Sequence, residues 1–207
     1  MKPLQALLAL FACAFLPLHA ADLSDLTWTT TDGEVTITDC NTAATGELVI
    51  PDTIEGNPVT SIAYRAFFVC SSLTSITIPD SVTSIGVAAF DQCTNLTSIT
   101  IGNGVTSIGN YAFFVCRSLT SITIPDGVSS IGSYAFYECT SMTSITFLGT
   151  APTVGTNAFT VVADGAVAII LGEKHASFGN IGTDWNGLTL NCLDGPLCWL
   201  TWTTTGG

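Results

Sequence analysis

Hydrophobic and polar residues recur along most of this chain with a fixed period of 23 residues. Three consecutive segments, 73–95, 96–118 and 119–141, are near copies of one another. Each reads L-T-S-I-T-I, then a turn, then V-[TS]-S-I-G, and closes on A-F-x-x-C. Weaker copies precede them at 46–72 and follow them at 142–164. Such a period predicts a solenoid, because one unit cannot bury its apolar face until neighbouring units stack on it.

Within one unit, the spacing of apolar residues predicts two extended edges and one tight turn. Ile76 and Ile78 flank Thr77, which is the pattern of a strand with one buried face. A Pro-Asp pair ends this strand, since proline has no N–H and aspartate favours turns. The following V-x-x-I pattern predicts a second edge. The Phe and Cys of A-F-x-x-C lie three residues apart, which fits one side of a helical or 3₁₀ turn.

The open ends of a solenoid expose unpaired strand edges, so we expect caps on both sides of the array. Residues 35–37 predict an N-terminal cap strand, and residues 167–171 predict the strand that closes the array. The fold class is therefore a β-rich solenoid of about five coils with short helical or 3₁₀ turns and terminal cap strands. We divide the chain into a signal peptide (1–21), an N-terminal cap (22–45), the repeat array (46–164), a C-terminal cap (165–190) and a tail (191–207).

The tail contains a near-verbatim copy of an earlier segment. Residues 200–205 repeat residues 26–31, which lead into the predicted N-terminal cap. We expect the second copy to be either the opening of a further module or a short strand that pairs locally.

The first 21 residues have the pattern of a secretory signal peptide. Lys2 precedes an apolar run at 4–16, and Ala20 and Ala21 offer small residues for cleavage. The run is shorter than the ~20 residues of a membrane span, and no other segment could insert into a membrane. The alternatives are a buried N-terminal helix and a lipoprotein signal in which Cys13 is acylated. The pattern predicts a secreted or cell-surface protein.

Composition and charge narrow the classes of function. Hydrophobic residues make up 47% of the 207 residues and charged residues only 10%, which argues against a disordered chain. Four Lys and Arg stand against 16 Asp and Glu, a formal net charge of −12. Nucleic acids and anionic membrane surfaces are therefore unsuitable partners, because both require clustered cations.

Cysteines recur in the array at the coil spacing: Cys70, Cys93, Cys116 and Cys139. Zinc sites use closer pairs, often with histidine, so this spacing argues against a metal site. Equivalent side chains in stacked coils point in parallel, so we expect buried free thiols rather than disulfides between coils. Cys192 and Cys198 flank a Gly-Pro turn and are candidates for a disulfide after export. Cys40 has no evident partner in the sequence.

Two sets of residues are candidates for partner binding. Hydroxyl residues on the outward side of the first predicted strand form one set: Ser75, Thr77, Ser98, Thr100, Ser121 and Thr123. These residues form either a docking face for a partner or an ordinary solvent-exposed sheet surface, in which short hydroxyl residues that favour strands have no binding role. A remote alternative is ice binding, since the strand of successive coils repeats S-I-T, which is close to the T-x-T arrays of β-solenoid ice-binding proteins.

The second set is aromatic and lies beside the A-F pairs. One column holds Phe68, Phe114 and Tyr137, with Asp91 in the intervening coil. The next column holds Tyr111 and Tyr134, with Arg65 and Ala88. Aromatic residues and arginine are favoured at interfaces, so this set is either a recognition stripe or a cover for the flank of the turn.

Catalytic motifs are absent from the sequence, which has no P-loop, no G-x-S-x-G and no H-E-x-x-H. The acidic residues are scattered rather than paired at the coil spacing. Asp80 and Asp126 share a turn position, but the intervening coil has Asn103, which leaves only weak calcium binding open. We expect a protein that is not an enzyme, with no cofactor and no metal.

The consensus L-x-x-I-x-I-P-x-x-V-x-x-I-G-x-x-A-F-x-x-C resembles the BspA-like leucine-rich repeat family, also called Treponema-type repeats. The likeness covers roughly residues 34–171, and A-F-x-x-C starts at Ala66, Ala89, Ala112 and Ala135. The resemblance implies an exported adhesion module that binds a host or cell-surface protein through its repeat array. Glycan binding is the alternative, and Trp185 would then stack a sugar unless it caps the array.

Overall fold

The computed structural model describes residues 20–179, 182 and 184–192. Two short 3₁₀ helices occupy Leu23–Asp25 and Gly172–Ser177. The strands are β1 (Leu26–Thr31), β2 (Glu34–Cys40), β3 (Gly46–Val49), β4 (Thr53–Ile54), β5 (Asn57–Ile62), β6 (Leu73–Thr77), β7 (Ser84–Ile85), β8 (Ser98–Thr100), β9 (Ser107–Ile108), β10 (Ser121–Ile124), β11 (Ser130–Ile131), β12 (Ser144–Phe147), β13 (Thr153–Val154), β14 (Val167–Ile170), β15 (Asp184–Trp185) and β16 (Leu188–Cys192).

These strands confirm the β-solenoid, which has about seven turns. The back sheet runs β1-β2-β5-β7-β9-β11-β13, with β4 paired on β5. The front face consists of two sheets, β3-β6-β8 and β10-β12-β14-β16-β15. Pairing along the repeats is parallel and advances by one coil, as between Ser121 and Ser144. We number coils 1 to 5 by the segments 46–72, 73–95, 96–118, 119–141 and 142–164.

The two ends of the array differ in how well the sequence predicted them. The predicted N-terminal cap strand is present as β2, which pairs antiparallel with β1 and parallel with β5. The strand predicted at 167–171 is present as β14, but it is not the last one, because β16 pairs parallel with β14 and continues the front face. Leu188 and Leu190 are buried and flank exposed Thr189, so this segment has the same inward alternation as the repeats. The glycines around it obscure that pattern in the sequence.

The core lies inside the coils and is built of columns of identical residues. Phe67, Phe90, Phe113, Phe136 and Phe159 stack face to face, with ring centroids 4.8 to 5.4 Å apart. All five rings are almost completely buried. A stack of this kind gives each coil the packing partner that it lacks alone.

The A-F-x-x-C segments form the third side of the coil, which we call the turn side. Successive i→i−3 hydrogen bonds form there, as expected for a 3₁₀ turn, for example from Phe114 N–H to the Tyr111 carbonyl at 3.1 Å. No helix results, because Tyr111 and Val115 adopt left-handed φ angles of 57° and 59°. Their N–H groups instead donate to carbonyls of the next coil, at Ser133 and Tyr137. The turn side is therefore a third ladder between coils.

Candidate functional site

The hydroxyl columns lie on the front face, on the outward side of its strands. Ser75 and Ser98 are in register, and the Ser98 hydroxyl donates to the Ser75 Oγ at 3.2 Å. Ser75 and Thr77 are half-buried, whereas the other four hydroxyl residues are exposed. The structure brings all six candidates to one surface: Ser75, Thr77, Ser98, Thr100, Ser121 and Thr123.

The front face is interrupted between coils 3 and 4, since β8 and β10 belong to different sheets. At this junction the Thr120 N–H lies 3.5 Å from the Thr97 carbonyl. Coil 3 is instead held against coil 2 at the front corner. There a Cβ on Gly102 would lie 2.2 Å from the Pro79 carbonyl oxygen, so only glycine permits this approach. The interruption leaves the hydroxyls on both of its sides exposed.

A groove of about 470 Å³ follows the front corner across several coils. Thr77, Thr100 and Thr123 line it from the front face, and Pro79 and Asp80 line it from the corner. One Asp80 carboxylate oxygen already accepts the Asn103 N–H at 2.7 Å. The groove is therefore a shallow, open channel whose lining is more apolar than polar, suited to contact with an extended surface rather than with a reacting atom.

The aromatic candidates form a continuous cluster on the turn side of coils 3 and 4. Phe114 and Tyr137 stack with centroids 5.4 Å apart, and Tyr111 and Tyr134 stack at 5.1 Å. Within each coil the two rings meet edge to face at 5.6 Å. Tyr111 is 40% exposed, and the other three rings are half-buried. The four rings therefore present a rigid, partly exposed aromatic surface.

Phe68 continues this column in coil 1 but has a cation beside it. The Arg65 guanidinium carbon lies 4.5 Å from the Phe68 ring centroid and 5.2 Å from that of Tyr64. Tyr64 is 60% exposed. Aromatic rings with arginine are the side chains that most often dominate protein interfaces. We call the set Tyr64, Arg65, Phe68, Tyr111, Phe114, Tyr134 and Tyr137 the aromatic stripe.

Left-handed backbone conformations hold the aromatic stripe in place. Arg65, Tyr111 and Tyr134 each have φ of 57°. Such angles are unusual for residues other than glycine and persist only where the surrounding structure enforces them. Here the enforcing contact is the ladder to the next coil, as from Arg65 N–H to the Val87 carbonyl at 3.1 Å. The sequence does not predict this conformation, because none of these three residues is a glycine.

Asp91 occupies the aromatic column in coil 2 and is buried, with 7% of its surface exposed. Its Oδ1 is fully buried and has no hydrogen-bond partner. Burial raises the pKa of this carboxyl group above its usual range, although a hydrogen bond with Gln92 and the charge of Arg65 oppose the shift. Among the described residues, Asp91 is the one buried side chain with such an unsatisfied atom.

The cysteine column is structural, because its thiols are buried and free, as predicted. The thiols of coils 2 to 4 each donate to the carbonyl of the phenylalanine in the preceding coil, for example from Cys116 Sγ to Phe90 O at 3.1 Å. Burial raises the pKa of the Cys139 thiol to about 12. Cys40 has a place at the N-terminal end of this column, where its carbonyl accepts from Cys70 Sγ at 3.7 Å.

The remaining sequence candidates lie at the C-terminal end. Cys192 is disulfide-bonded, and Cys198 and the repeated tail segment at 200–205 lie outside the described residues. Trp185 packs against Phe147 and Phe178, with centroids 5.2 and 5.0 Å away, so it caps the core. In the described part of the chain, no cluster of His, Cys, Asp or Glu could hold a metal ion. That part also contains no helix long and apolar enough to cross a membrane.

Comparison with solved structures gives the same architecture. A leucine-rich repeat protein of T. pallidum is 30% identical and superposes with a TM-score of 0.65, over 74% of this chain and 71% of that one. A leucine-rich repeat protein from Bacteroides capillosus is also 30% identical, with a TM-score of 0.54, over 60% of this chain and 95% of that one. None of the curated proteins is significantly similar to this chain.

The family model of the BspA type leucine-rich repeat region matches six copies across residues 46–165. These copies include the five coils that carry the hydroxyl columns, the aromatic stripe and the cysteine column. Proteins built from such repeats are generally binding modules rather than enzymes. The chain belongs to the BspA type leucine-rich repeat family.

Proposed function

We propose that this protein is an exported, non-catalytic adhesion module that binds a protein partner through the aromatic stripe. The observation that carries the proposal is the exposure of stacked rings and a guanidinium on one side of a rigid solenoid. Each ring is already held by its neighbours, so binding would cost little further side-chain entropy. Large preorganised side chains of this kind are typical interface anchors.

The front face is the second candidate surface, because Thr77, Thr100 and Thr123 line the groove at its corner. Hydroxyl side chains offer hydrogen bonds but little apolar area, so we assign the partner contact to the aromatic stripe rather than to the front face. The two surfaces lie on different sides of the coil, and a mutation on one leaves the other intact.

Export is proposed from the signal-peptide pattern of the first 21 residues, and the N-terminal cap bears on where that segment would be cleaved at Ala21. Its N–H donates to the Thr45 carbonyl at 2.8 Å, and its side chain is buried. Cleavage after Ala20 would retain this contact, whereas cleavage after Ala21 would remove a core residue. We therefore place the cleavage between the two alanines, and the intact mass of the secreted protein would test this.

Glycan binding gains no support from the residue that suggested it. Trp185 is packed edge-on to Phe147, with ring planes at 81°, and also contacts Phe178. A ring used in this way closes the core and is not free to stack a sugar. We therefore propose a protein partner in place of a glycan.

The test uses the purified secreted chain and a phage-displayed library of random 12-residue peptides. Peptides enriched over a bare-matrix control would be synthesised and their Kd measured by fluorescence anisotropy. The variant Phe114→Ala/Tyr137→Ala should weaken binding at least tenfold, because it removes two stacked anchors. The front-face variant Thr100→Lys/Thr123→Lys serves as the matched control and should change Kd less than threefold.

Three results would contradict the proposal. The first is a selection that enriches no peptide over the matrix. The second is binding that survives the aromatic double variant but is lost in the front-face variant. The third is competition by soluble sugars, which would return the glycan alternative. Thermal unfolding of each variant must show that it retains the solenoid.

A further inference from the structure

The aromatic stripe has a gap in coil 2, where Ala88 and Asp91 occupy the positions of large side chains. Phe68 lies in the same column one coil before Asp91, and Phe114 lies one coil after it. Ala88 is only 5% exposed, although Tyr111 in its own column is 40% exposed. The larger side chains of coils 1 and 3 therefore extend further outward than the two residues in the gap. We call it the notch, with Ala88 and Asp91 as its floor and Phe68 and Phe114 as its walls.

The spacing of the coils determines the width of the notch. The core rings of Phe67, Phe90 and Phe113 stack at 4.8 and 5.2 Å in these three coils. The planes of Phe68 and Phe114, two coils apart, are therefore separated by about 10 Å at the strand spacing. Subtracting the thickness of the two ring faces leaves about 6 Å, which is the width of one ammonium group with its methylenes or methyls.

The floor of the notch carries a carboxyl group that the chain satisfies only in part. Asp91 Oδ1 is buried without a hydrogen-bond partner, and within the described ranges Asp91 forms no ion pair. Leaving a buried carboxylate oxygen unpaired costs free energy that a cationic ligand would recover. A cation midway between the walls would lie about 5 Å from each ring, inside the ~6 Å range of cation–π attraction.

The neighbouring coil already shows that this ring accepts a cation. Arg65 lies in the Ala88 column, and its guanidinium carbon is 4.5 Å from the Phe68 ring centroid. The Arg65–Phe68 pair occupies the same positions in coil 1 as the Tyr111–Phe114 pair in coil 3. Arg65 is thus the neighbour of Phe68 within its own coil.

We propose that the notch binds the alkylammonium group of a lysine side chain, bare or methylated, on the partner protein. This inference rests on the proposed function and specifies the chemistry of one contact within it. Asp91 would supply the charge, and Phe68 and Phe114 would supply two π faces. Arg65 is the cation of the chain that competes for this site, since its charge acts on Asp91. Arg117 instead pairs with Glu138 at 2.7 Å, and Lys174 lies 3.9 Å from Asp126.

Three tripeptides provide the test: acetyl-Gly-Lys-Gly-amide, its trimethyl-lysine form, and the same sequence with norleucine in place of lysine. Each is titrated into the full secreted chain labelled with ¹⁵N, and amide shifts are followed by NMR. The charged peptides should bind at least tenfold more tightly than the norleucine peptide. The shifts should centre on Ala88, Asp91 and Phe114.

Asp91→Asn should weaken binding of the charged peptides at least tenfold, since it removes the charge and keeps the shape. Asp126→Asn is the matched control, because it removes the same charge from a side chain that is 72% exposed on the far side of the coil. Arg65→Gln should maintain or strengthen binding. Phe114→Leu should weaken it by removing one wall.

Equal affinity of the lysine and norleucine peptides would overturn the inference, as would unchanged binding in Asp91→Asn. Shifts confined to another surface would do the same. Binding of phosphatidylcholine vesicles without binding of any peptide would assign the ammonium site to a lipid. If the library peptides depend on Phe114 but not on Asp91, the proposed function stands and this inference fails.

Discussion

The packing environment of each residue in this protein depends on its column in the stacked coils rather than on its neighbours in sequence. Phe113 shows this best, since its ring lies between Phe90 at 5.2 Å and Phe136 at 5.1 Å. The ring is fully buried. Ser98, only 15 residues away in sequence, is exposed on the front face. The two sites test whether inward and outward columns carry the different energies that their burial implies.

Phe113→Ala should lower the free energy of unfolding by about 3–5 kcal/mol, because it leaves a cavity inside the phenylalanine stack. Ser98→Ala removes one exposed hydroxyl and should change it by less than about 0.5 kcal/mol. Urea unfolding followed by circular dichroism measures both. Equal losses at the two sites would contradict the assigned faces.

The buried carboxylate of Asp91 predicts a dependence of stability on pH. Burial raises its pKa in the folded state, so the folded protein binds the proton more tightly than the unfolded chain does. The charged form therefore costs stability above the raised pKa, and this cost disappears as the pH falls through it. Asp91→Asn should be more stable than the parent at pH 7.

The stability difference between Asp91→Asn and the parent should shrink as the solution is acidified, since both side chains are then neutral. The positive charge of Arg65 opposes the rise in the Asp91 pKa. The size of the stability difference therefore depends on Arg65 remaining in place. Asp32→Asn, at an exposed turn residue, is the control variant. A difference that stays constant between pH 7 and pH 4 would argue against a buried charge.

At the scale of single elements, the front corner shows how one turn alters the sheet beside it. Coil 3 has Gly102 and Asn103 where coils 2 and 4 have a Pro-Asp pair. A Cβ at Gly102 would meet the Pro79 carbonyl oxygen at 2.2 Å, whereas a Cβ at Gly127 would meet the nearest carbonyl oxygens at 3.5 Å. The interruption between β8 and β10 lies just beyond the tighter corner.

Gly102→Ala should destabilise the protein by about 1–3 kcal/mol, because the new methyl group overlaps backbone that cannot move freely. Gly127→Ala has room for the methyl group and should be neutral or stabilising by about 0.4–1 kcal/mol. Differential scanning calorimetry of the two variants gives the comparison. Similar melting temperatures for both would show that coil 3 is not held tightly against coil 2.

For the molecule as a whole, the cysteine column predicts that five thiols behave as one buried set. Cys40, Cys70, Cys93, Cys116 and Cys139 are free and buried, and burial raises the pKa of the Cys93, Cys116 and Cys139 thiols. Iodoacetamide at pH 8 should leave them unlabelled in the folded protein. After unfolding without a reductant, mass spectrometry should find all five labelled. A peptide linking Cys93 to Cys116 would disprove the parallel arrangement.

The repeat made much of the architecture predictable, because an exact period shows which residues must share a column. The V-x-x-I and A-F-x-x-C patterns of one unit correspond to Val82, Ile85 and Phe90 in coil 2, and all three are buried. The left-handed turn was not predictable, because Val69 and Val115 adopt φ angles that β-branched residues normally avoid. Only contacts with the next coil, which propensity does not include, select that conformation.

The binding surfaces were predictable as columns but not as shapes. The sequence placed Phe114 and Tyr137 together, and the structure shows them stacked. It also placed Asp91 in their column, but its burial depends on the height of the side chains one coil away on either side. Strand β16 was missed because its alternation spans only five residues among glycines.

The ladder on the turn side has a direction, and this direction gives the two ends of the array opposite character. Coils 1 to 4 each donate N–H groups forward on this side, as from Tyr111 to Ser133 and from Tyr134 to Thr156. On the turn side, an array without caps would therefore offer N–H donors at one end and carbonyl acceptors at the other. Two copies meeting by twofold symmetry would set like groups against each other, whereas copies meeting tail to head would match. Losing both caps would thus favour open-ended filaments over closed dimers.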